Sequence, residues 1–504
     1  MSPTDLGLTV CPGEGPIYQQ IFDAIAGRIR RGAFPDGYRL PPTRALATQI
    51  GAHRNTVVRA YAELEAAGFL TSTVGRGTFV RAPQAAESSV PAPSADARGL
   101  RWSSMLSGAA RSEPLRRVTR LRRASPPPGV IDLTRMQPPP ELLPVELLRR
   151  CVDHVLRTSG PRALQYAPKQ GFRRLRAAVV EDLARLGVPA AADDVLITTG
   201  SQQGLDLVAR ALLDPGDVVL THASTYAGAL QVFAATGAHV VGVPNDAHGP
   251  DLEALHRLGA RRPKVLYLMP NHVNPTGACM SAERREAVLG WARDAQVAVI
   301  EDDYAVDLVL DDVATPPALR ARDPDVLHVG TFSKRLIPAL RIGYLVAPSA
   351  LRPHLLALKH TSDLGSSALS QHSLAEFLER GYLGAHLNKI QPFYRARRDA
   401  LLEGLRAHLP ADVRWQRPAR GLTIWLELPE DVDPERVFEE GLARKVLVGP
   451  GHHFAVDEGA RPGLRLSFCH EPEARLGEGA ARVAEAIEAV RARAGGAAGG
   501  VELV

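Results

Sequence analysis

Apolar residues recur at every fourth position in one early segment, at Ile17, Ile21, Ile25 and Ile29. Positions four apart lie on one face of a helix, so this pattern predicts an amphipathic helix over residues 17–31. Most of the stability of such a helix comes from packing its apolar face, which the following elements must cover.

Two further helices and a hairpin follow the first helix. Pro41 and Pro42 prevent it from continuing, and Gly51 and Gly68 end the two later helical segments. The pattern predicts helices over residues 44–50 and 55–67 and two short strands over residues 70–80. Together these elements predict a winged helix-turn-helix domain over residues 1–81.

In a helix-turn-helix, the second helix of the turn lies in the major groove of DNA. The residues predicted to lie at or near that groove are Arg54, Asn55, Thr56 and Arg59. Those predicted to meet phosphates or the minor groove are Arg44 and, in the wing, Arg76 and Gly77. A helical hairpin that binds another protein is the alternative, but arginines rather than apolar residues line the exposed face.

The rest of the chain divides by composition. Residues 82–130 are rich in Ala, Pro, Ser and Arg, which predicts a flexible linker. Over residues 131–493, apolar β-branched runs alternate with helical periods, which is typical of an α/β domain. Residues 494–504 are predicted to form a disordered tail. The predicted fold class is therefore multidomain, a mostly α winged helix-turn-helix joined to an α/β domain.

Charge is distributed unevenly along the 504 residues. The first 130 residues carry a net charge of +8, whereas the remaining 374 carry −3. The basic excess therefore lies in the segment predicted to bind DNA, where a polyanionic partner would be engaged. A merely solvated surface is the alternative interpretation of the charge alone.

The four cysteines lie far apart, without the CxxC or CxxH spacing of a zinc site or the density of a disulfide framework. We therefore expect no metal site and a reducing, cytoplasmic location. Neither a secretory signal nor a membrane span is expected. The uncharged stretch over residues 218–245 is interrupted by polar side chains and predicts strand, helix and strand.

Lysine is scarce in this chain, with six lysines against 54 arginines, so Lys334 is informative. It stands in the segment GTFSKRLIPALRIGY (330–344), where Ser333 and Arg341 supply a hydroxyl group and a positive charge for a phosphate. A lysine that forms a Schiff base needs such groups to hold an anionic aldehyde cofactor. The segment VLITTGSQQG (195–204) predicts a strand that leads into a helix at Ser201, a second place for a phosphate. An ordinary helix cap is the alternative for this segment.

Three further strands end in residues suited to an aromatic cofactor ring. Asp302 and Tyr304 are two apart and point the same way in an extended chain, so the carboxylate can keep a pyridine ring protonated. The Tyr304 phenol and the Asn274 amide can bond the oxygen on that ring. Tyr226 follows another strand and can stack on the ring face. These groups all follow apolar strands of an α/β pattern, where ligand sites are expected.

The residues of both domains resemble known families. The segments LPPTRALA (40–47), RNTVVRAY (54–61) and GRGTFV (75–80) resemble the GntR family of bacterial regulators. Residues 131–493 resemble the aspartate-aminotransferase superfamily of fold type I enzymes, which use pyridoxal 5′-phosphate. Their fusion is similar to the MocR subfamily of transcriptional regulators.

The aminotransferase resemblance implies a role for each residue. Lys334 would form the Schiff base with the cofactor, and Asp302 would lie at its pyridine nitrogen. The ring contacts would come from Asn274, Tyr304 and Tyr226. The phosphate ligands would be Ser201, Gln202, Ser333 and Arg341.

Two more segments extend the resemblance. Tyr166 begins a Tyr-x4-Gly segment that reaches the phosphate of the neighbouring subunit in the superfamily, which implies a head-to-tail homodimer. Arg465, in GLRLSF (463–468), would bind the α-carboxylate of a substrate or effector, because its planar fork grips a carboxylate. An ordinary strand arginine is the alternative.

The resemblance implies a regulator that senses pyridoxal phosphate, or its adduct with an amino compound, and binds an operator with paired half-sites. The alternatives are an aminotransferase with an accessory amino-terminal domain and a scaffold with an empty pocket. The chain departs from many members of the subfamily in its HVNPTG segment (272–277), which is closer to working aminotransferases. It also has Gly228 where a GABA-responsive member has an arginine, which disfavours a GABA-like effector.

Overall fold

The computed structural model describes residues 6, 8, 10, 16–30, 33–73, 77–81, 102–115, 128–305, 307–457 and 462–498. Within these residues the chain divides into two compact units, residues 1–101 and 102–504. Each unit has its own hydrophobic core.

The first unit consists of three helices and a hairpin. Its elements are α1 (Ile17–Arg30), α2 (Thr43–Ile50), α3 (Arg54–Ala66), β1 (Leu70–Thr73) and β2 (Gly77–Val80). The two strands pair antiparallel. Every element lies within about a residue of its predicted bounds, so the predicted winged helix-turn-helix is confirmed.

The isoleucines of α1 explain why this small unit folds. Ile21, Ile25 and Ile29 are buried against Leu46 of α2 and Leu64 of α3 in one core. Full burial of an aliphatic side chain contributes about 1.5–3 kcal/mol, so this stripe is the main link between the three helices.

A seven-stranded sheet forms the centre of the second unit. Its strands in spatial order are β4 (Val195–Thr198), β12 (Gly343–Val346), β11 (Leu327–Thr331), β10 (Ala298–Asp303), β9 (Val265–Leu268), β5 (Val218–His222) and β6 (His239–Val243). All neighbours pair parallel except β12, which runs antiparallel to both of its neighbours. Most of these strands are buried along their whole length, as expected of a sheet covered by helices on both faces.

Smaller sheets complete this unit. Their strands are β3 (Ile131–Asp132), β7 (Asn245–Asp246), β8 (Gly249–Pro250), β13 (Arg414–Trp415), β14 (Thr423–Glu427), β15 (Val446–Leu447), β16 (Gly449–Pro450) and β17 (Gly463–Ser467). The strands β13, β14, β17 and β16 form one antiparallel sheet in that order.

Helices surround both kinds of sheet. They are α4 (Trp102–Met105), α5 (Val145–Ser159), α6 (Arg173–Arg185), α7 (Ser201–Leu212), α8 (Ala227–Ala235), α9 (Leu252–Gly259), α10 (Ala282–Asp294), α11 (Leu319–Arg322), α12 (Arg352–Asp363), α13 (Ala368–Glu379), α14 (Tyr382–His408), α15 (Pro434–Ala443) and α16 (Glu473–Ala498). The mixed α/β architecture confirms the predicted fold class. Residues 218–245 form β5, α8 and β6 as predicted, and none of the helices in the described ranges is long and apolar enough to cross a membrane.

The structure differs from the predicted domain bounds at two places. Residues 102–115, predicted as part of a linker over 82–130, belong to the second unit and contribute to a cavity on it. The final helix continues through Ala498, where a disordered tail was expected from residue 494. Residues 499–504 lie outside the described part of the chain.

Close packing between β11 and β12 yields a stability prediction. A Cβ at Gly330 would overlap the ring of the buried Tyr344 on the neighbouring strand. Gly330→Ala should therefore lower the free energy of unfolding by about 1–3 kcal/mol, because an overpacked core must shift. Gly290→Ala is the control, since no atom lies within 4 Å of a Cβ at this helical position. Equal thermal midpoints for the two variants would contradict the prediction.

Candidate cofactor and DNA-binding sites

Lys334 follows β11 of the seven-stranded sheet and is half-buried. Its Nζ donates a hydrogen bond of 2.7 Å to the carbonyl oxygen of Met136. Burial lowers the pKa of the Lys334 ammonium, and the charges of Arg465 and Arg341 lower it further. A lysine in such surroundings loses its proton more readily, which is what an amine that attacks a carbonyl requires.

Asp302 lies near the end of β10 and presents one oxygen that is not engaged. The Tyr267 hydroxyl donates to Asp302 Oδ2 at 2.7 Å, whereas Oδ1 is buried and has no hydrogen-bond partner among the described residues. Burial raises the pKa of Asp302 to about 6. A buried carboxylate oxygen without a donor fits a protonated ring nitrogen, which supplies both a hydrogen bond and a positive charge.

The Tyr304 hydroxyl is a second buried polar atom without a partner in the described part of the chain. Burial raises the pKa of Tyr304, so the phenol keeps its proton and can donate it to an oxygen. Tyr304 comes two residues after Asp302, as the sequence predicted for two groups that contact the same ring.

Arg465 lies in β17, and neither of its hydrogen-bond partners is charged. Its Nη1 donates to Asn274 Oδ1 at 3.1 Å and its Nη2 to the carbonyl oxygen of Thr134 at 2.9 Å. The guanidinium carbon lies 4.7 Å from the centre of the Phe454 ring. Burial lowers the pKa of Arg465 to about 10. A half-buried cation held by neutral oxygens is suited to a carboxylate ligand.

The loop before α7 forms a second place suited to an anion. Gly200 precedes the helix at a φ of 82°, and a Cβ there would lie 2.7 Å from Nη2 of Arg341. The same Nη2 donates to the carbonyl oxygen of Thr199 at 3.2 Å. The helix therefore begins at Ser201 with an arginine beside its first turn, and both features favour a phosphate.

Ser333 follows β11, and Ser201 follows β4. A single strand, β12, lies between β11 and β4 in the sheet. The Ser333 hydroxyl accepts a hydrogen bond of 3.1 Å from Thr331 Oγ1 and is held in place by it. An oriented hydroxyl of this kind can still donate its own proton to a phosphate oxygen.

Tyr226 and Gln202, predicted as a stacking residue and a phosphate ligand, bond to each other. The Tyr226 hydroxyl donates to Gln202 Oε1 at 3.1 Å, and Gln202 Nε2 donates to the carbonyl oxygen of Gly228 at 2.8 Å. The Tyr226 phenol also occupies the space that a Cβ at Gly228 would need. These bonds join the two residues into one pair, and their predicted cofactor contacts remain predictions.

Tyr166 is 85% exposed in this chain. It follows the short 3₁₀ helix Gly160–Leu164. The structure leaves its hydroxyl accessible to another molecule, and its predicted role across a subunit interface stays a prediction.

The predicted DNA-contacting residues cluster at the start of α3. Arg54 and Asn55 are exposed there, Thr56 is half-buried, and Arg44 is exposed on α2. Arg59 is also exposed, but its guanidinium lies 3.7 Å from the centre of the Tyr18 ring of α1. The Arg59 side chain therefore packs on α1 of its own domain and does not extend freely into solvent.

The wing is described in part. Gly77 has a φ of 116°, and a Cβ there would touch the guanidinium of Arg39, so glycine at this position gives room to a second arginine. Arg76 lies outside the described residues. Arg39 was not predicted from the sequence, because it lies in the connection between α1 and α2 and belongs to no motif.

The sequence interpretation also missed three supporting residues of the large unit. Tyr267 orients Asp302, and a tyrosine in an otherwise aliphatic strand was the available signal. Lys359 is buried, and its Nζ bonds Asp363 Oδ2 at 2.6 Å and Gln203 Oε1 at 3.2 Å. Gln203 Oε1 in turn accepts from the Thr199 amide at 2.8 Å, so Lys359 supports the loop that leads to Ser201.

Comparison with known proteins covers both units. Residues 17–80 match the model of the bacterial regulatory proteins of the gntR family, and residues 135–483 match that of aminotransferase class I and II. The HTH-type transcriptional regulator TauR of Rhodobacter capsulatus is 32% identical over 492 residues, which cover 94% of this chain and 97% of TauR. The 2-aminoadipate transaminase of Thermus thermophilus is 35% identical over 399 residues, which cover 78% of this chain and 99% of that enzyme.

A solved structure supports the same assignment for the large unit. The α-aminoadipate aminotransferase LysN from Thermus thermophilus, complexed with N-(5′-phosphopyridoxyl)-L-leucine, superposes with a TM-score of 0.71 at 33% identity. The match covers 78% of this chain and 100% of LysN. The chain therefore belongs to the aminotransferase class I and II family and, through its gntR-type amino-terminal domain, to the MocR subfamily of GntR-type transcriptional regulators.

Proposed function

We propose that this protein is a cytoplasmic transcriptional regulator that binds operator DNA and senses pyridoxal 5′-phosphate or its adduct with an amino compound. The fusion supports the proposal, because a DNA-binding domain and an aminotransferase-like domain share one chain. Relatives that match nearly the whole chain are named as transcriptional regulators.

One observation carries the cofactor part of the proposal. Asp302 Oδ1 and the Tyr304 hydroxyl are both buried without partners among the described residues, close in sequence and at the end of one strand. A buried polar atom without a partner costs about 1–3 kcal/mol. A ring that offers a protonated nitrogen and an oxygen would satisfy both atoms at once, and pyridoxal phosphate offers both.

Each residue around the proposed cofactor site would have its own role. Lys334 would supply the amine, and Asp302 would hold a proton on the ring nitrogen. Asn274 and Tyr304 would bond the ring oxygen, and Tyr226 would lie on the ring face. The groups that would hold the phosphate are Ser201, Gln202, Ser333, Arg341 and Tyr166 of a partner subunit. When bound, the cofactor supplies an aldehyde that captures amines and a ring that accepts electrons.

Arg465 would select effectors that carry a carboxylate. Its half-buried charge has two neutral hydrogen-bond partners, so the carboxylate of an amino acid could add the missing negative charge. Gly228 leaves no arginine at the start of α8 to bind a second acidic group. We therefore favour an α-amino acid over a GABA-like amine as the effector.

The amino-terminal unit would read DNA through α3. Arg54 and Asn55 are exposed at its first turn, where recognition helices contact base edges. A head-to-tail homodimer would carry two such units and bind two half-sites.

A second candidate function is catalysis of transamination. The HVNPTG segment and the contact between Asn274 and Arg465 favour it, as do the relatives named as transaminases. Rapid multiple turnover with an amino acid and a keto acid would support an enzyme. No keto-acid product under those conditions would leave regulation as the function.

Replacing Lys334 tests the cofactor site. The wild-type protein should show a visible absorbance band after incubation with pyridoxal phosphate, and Lys334→Ala should lose it, because no other amine occupies that position. Lys389→Ala, at an exposed lysine of α14, is the control and should keep the band. An unchanged band in Lys334→Ala would contradict the assignment.

Replacing Arg54 tests the DNA-binding surface. Arg54→Ala should weaken binding to a DNA fragment selected by the wild-type protein by roughly 10- to 100-fold, the usual cost of losing a base-contacting arginine. The absorbance band of the cofactor should be unaffected. Arg257→Ala, at an exposed arginine of α9, should bind like the wild type. DNA binding that is unchanged in Arg54→Ala, or that is lost together with the band, would count against the assignment.

The raised pKa of Asp302 predicts a pH-dependent stability of the cofactor-free protein. Because folding raises the pKa of Asp302 to about 6, its burial destabilises the protein once the carboxyl ionises, as pH rises from about 4 through 6. Asp302→Asn should therefore gain stability relative to the wild type progressively between about pH 4 and pH 6 and keep that gain at higher pH. Asp303, with a pKa raised to about 7, is present in both proteins.

The measurement is the difference in thermal midpoint between Asp302→Asn and the wild type across this pH range. Loading with pyridoxal phosphate should reverse the trend, since the ring nitrogen would then pair with the carboxylate. A difference that is independent of pH in the cofactor-free proteins would contradict the prediction.

A further inference from the structure

Two histidines and a glutamate meet at the edge of the small antiparallel sheet. Glu435 stands in the first turn of α15, and His452 and His453 form part of the 3₁₀ helix Gly451–His453 after β16. His452 Nε2 lies 3.0 Å from Glu435 Oε2. One donor atom of each of the three side chains lies within 4.8 Å of the other two.

This donor set has the chemistry of a transition-metal site. Two imidazole nitrogens and one carboxylate oxygen are the protein ligands of many zinc sites, with metal–ligand distances of about 2.0–2.2 Å. A tetrahedral ion then needs ligand atoms roughly 3.4 Å apart, which small rotations of these side chains provide. The side chains of His452 and Glu435 are 43% and 44% exposed, so an ion can enter and keep a water as its fourth ligand.

The cluster contains no cysteine, so cysteine spacing could not indicate it. We expected no metal site from the sequence, because the cysteines lack the CxxC or CxxH spacing of a zinc site, and that argument does not bear on histidine and glutamate ligands. Glu435 and His452 are 17 residues apart in sequence, and only the fold brings the first turn of α15 to the 3₁₀ helix.

The turn that carries the histidines connects directly to the cofactor site. Phe454 follows His453, and its ring lies against the guanidinium of Arg465. The carbonyl oxygen of Phe454 accepts a hydrogen bond of 2.9 Å from the amide of Thr225, the residue before Tyr226. An ion on His453 would therefore fix the segment that supports the carboxylate-binding arginine and the proposed ring-stacking tyrosine.

The same turn borders the docked segment of the predicted linker. His453, Ala455 and Val456 line a cavity of about 500 Å³, together with residues 108–114 and parts of α8 and β6. Helix α8 begins directly after Tyr226. His453 thus lines a cavity together with the helix that follows Tyr226 and with part of the segment 108–114.

We propose that Glu435, His452 and His453 bind a divalent transition-metal ion of the zinc class and that this ion fixes the turn carrying Phe454. This site goes beyond the proposed function, because it needs neither DNA nor pyridoxal phosphate. Metal binding would add a second input to the regulator through Phe454 and Thr225.

The test is isothermal titration of Zn²⁺ into the full-length protein loaded with pyridoxal phosphate. The wild type should bind one ion per chain with micromolar affinity or tighter. His452→Ala and Glu435→Gln should each weaken this binding by at least tenfold. His408→Ala, at an exposed histidine at the end of α14, is the matched control and should bind like the wild type. Mg²⁺, which prefers oxygen ligands, should not compete.

A spectroscopic readout distinguishes this site from adventitious surface binding. The Trp425 ring packs beside Gly451, the first residue of the 3₁₀ helix, where a Cβ would lie 2.9 Å from it. Zn²⁺ should therefore change tryptophan emission in the wild type and in His408→Ala, but not in His452→Ala or in Trp425→Phe. Zinc affinity that is equal in the wild type and in both ligand variants would overturn the proposal.

A separate measurement tests the coupling between the metal site and the cofactor site. Zn²⁺ should change the dissociation constant for pyridoxal phosphate several-fold in the wild type and leave it unchanged in His452→Ala. Site-specific zinc binding with an unchanged cofactor affinity would refute the coupling through Phe454. Zinc binding to a protein that never acquires a cofactor band would instead count against the proposed function and leave the metal site in place.

Discussion

The proposed function depends on buried charges that the fold holds without full compensation. Arg465 donates only to the neutral oxygens of Asn274 and Thr134, and Asp302 keeps one oxygen without a partner in the described part of the chain. Burial shifts the pKa of both groups toward the neutral form. An enclosed site with unmatched charges is unfavourable by itself and becomes favourable when a ligand of complementary charge enters.

The sheet makes this arrangement possible. Asp302 lies near the end of β10, and Ser201 and Lys334 follow β4 and β11. These three strands run in the same direction, so their ends meet at one edge of the sheet. Supporting residues fix the individual groups, as Tyr267 does for Asp302 and the buried Lys359 does for the loop before Ser201. The energy that holds the charges in place comes from the core of the sheet and its helices, so the site can remain preorganised before a ligand binds.

Much of the fold was predictable, because its determinants are local. The four-residue spacing of isoleucines predicted α1, and the glycines and prolines predicted where the next two helices begin and end. Uninterrupted apolar runs predicted the strands of the large sheet. Contacts between distant segments were not predictable. The bond between Gln202 and Tyr226 and the stacking of Arg59 on Tyr18 could not be foreseen, because side-chain partners depend on packing. Lys359 belongs to a scarce residue type, and its burial became visible only in the structure. Composition likewise could not show that residues 102–115 join the large unit.

The central claim is that occupancy of the Lys334 site controls DNA binding. It is tested most directly by titrating a wild-type-selected DNA fragment with the protein in its cofactor-free and pyridoxal-phosphate-loaded forms, with Lys334→Ala alongside. We expect pyridoxal phosphate to change the dissociation constant for DNA several-fold in the wild type and to have no effect on it in Lys334→Ala. Equal DNA affinity of the loaded and cofactor-free wild-type protein would contradict the claim.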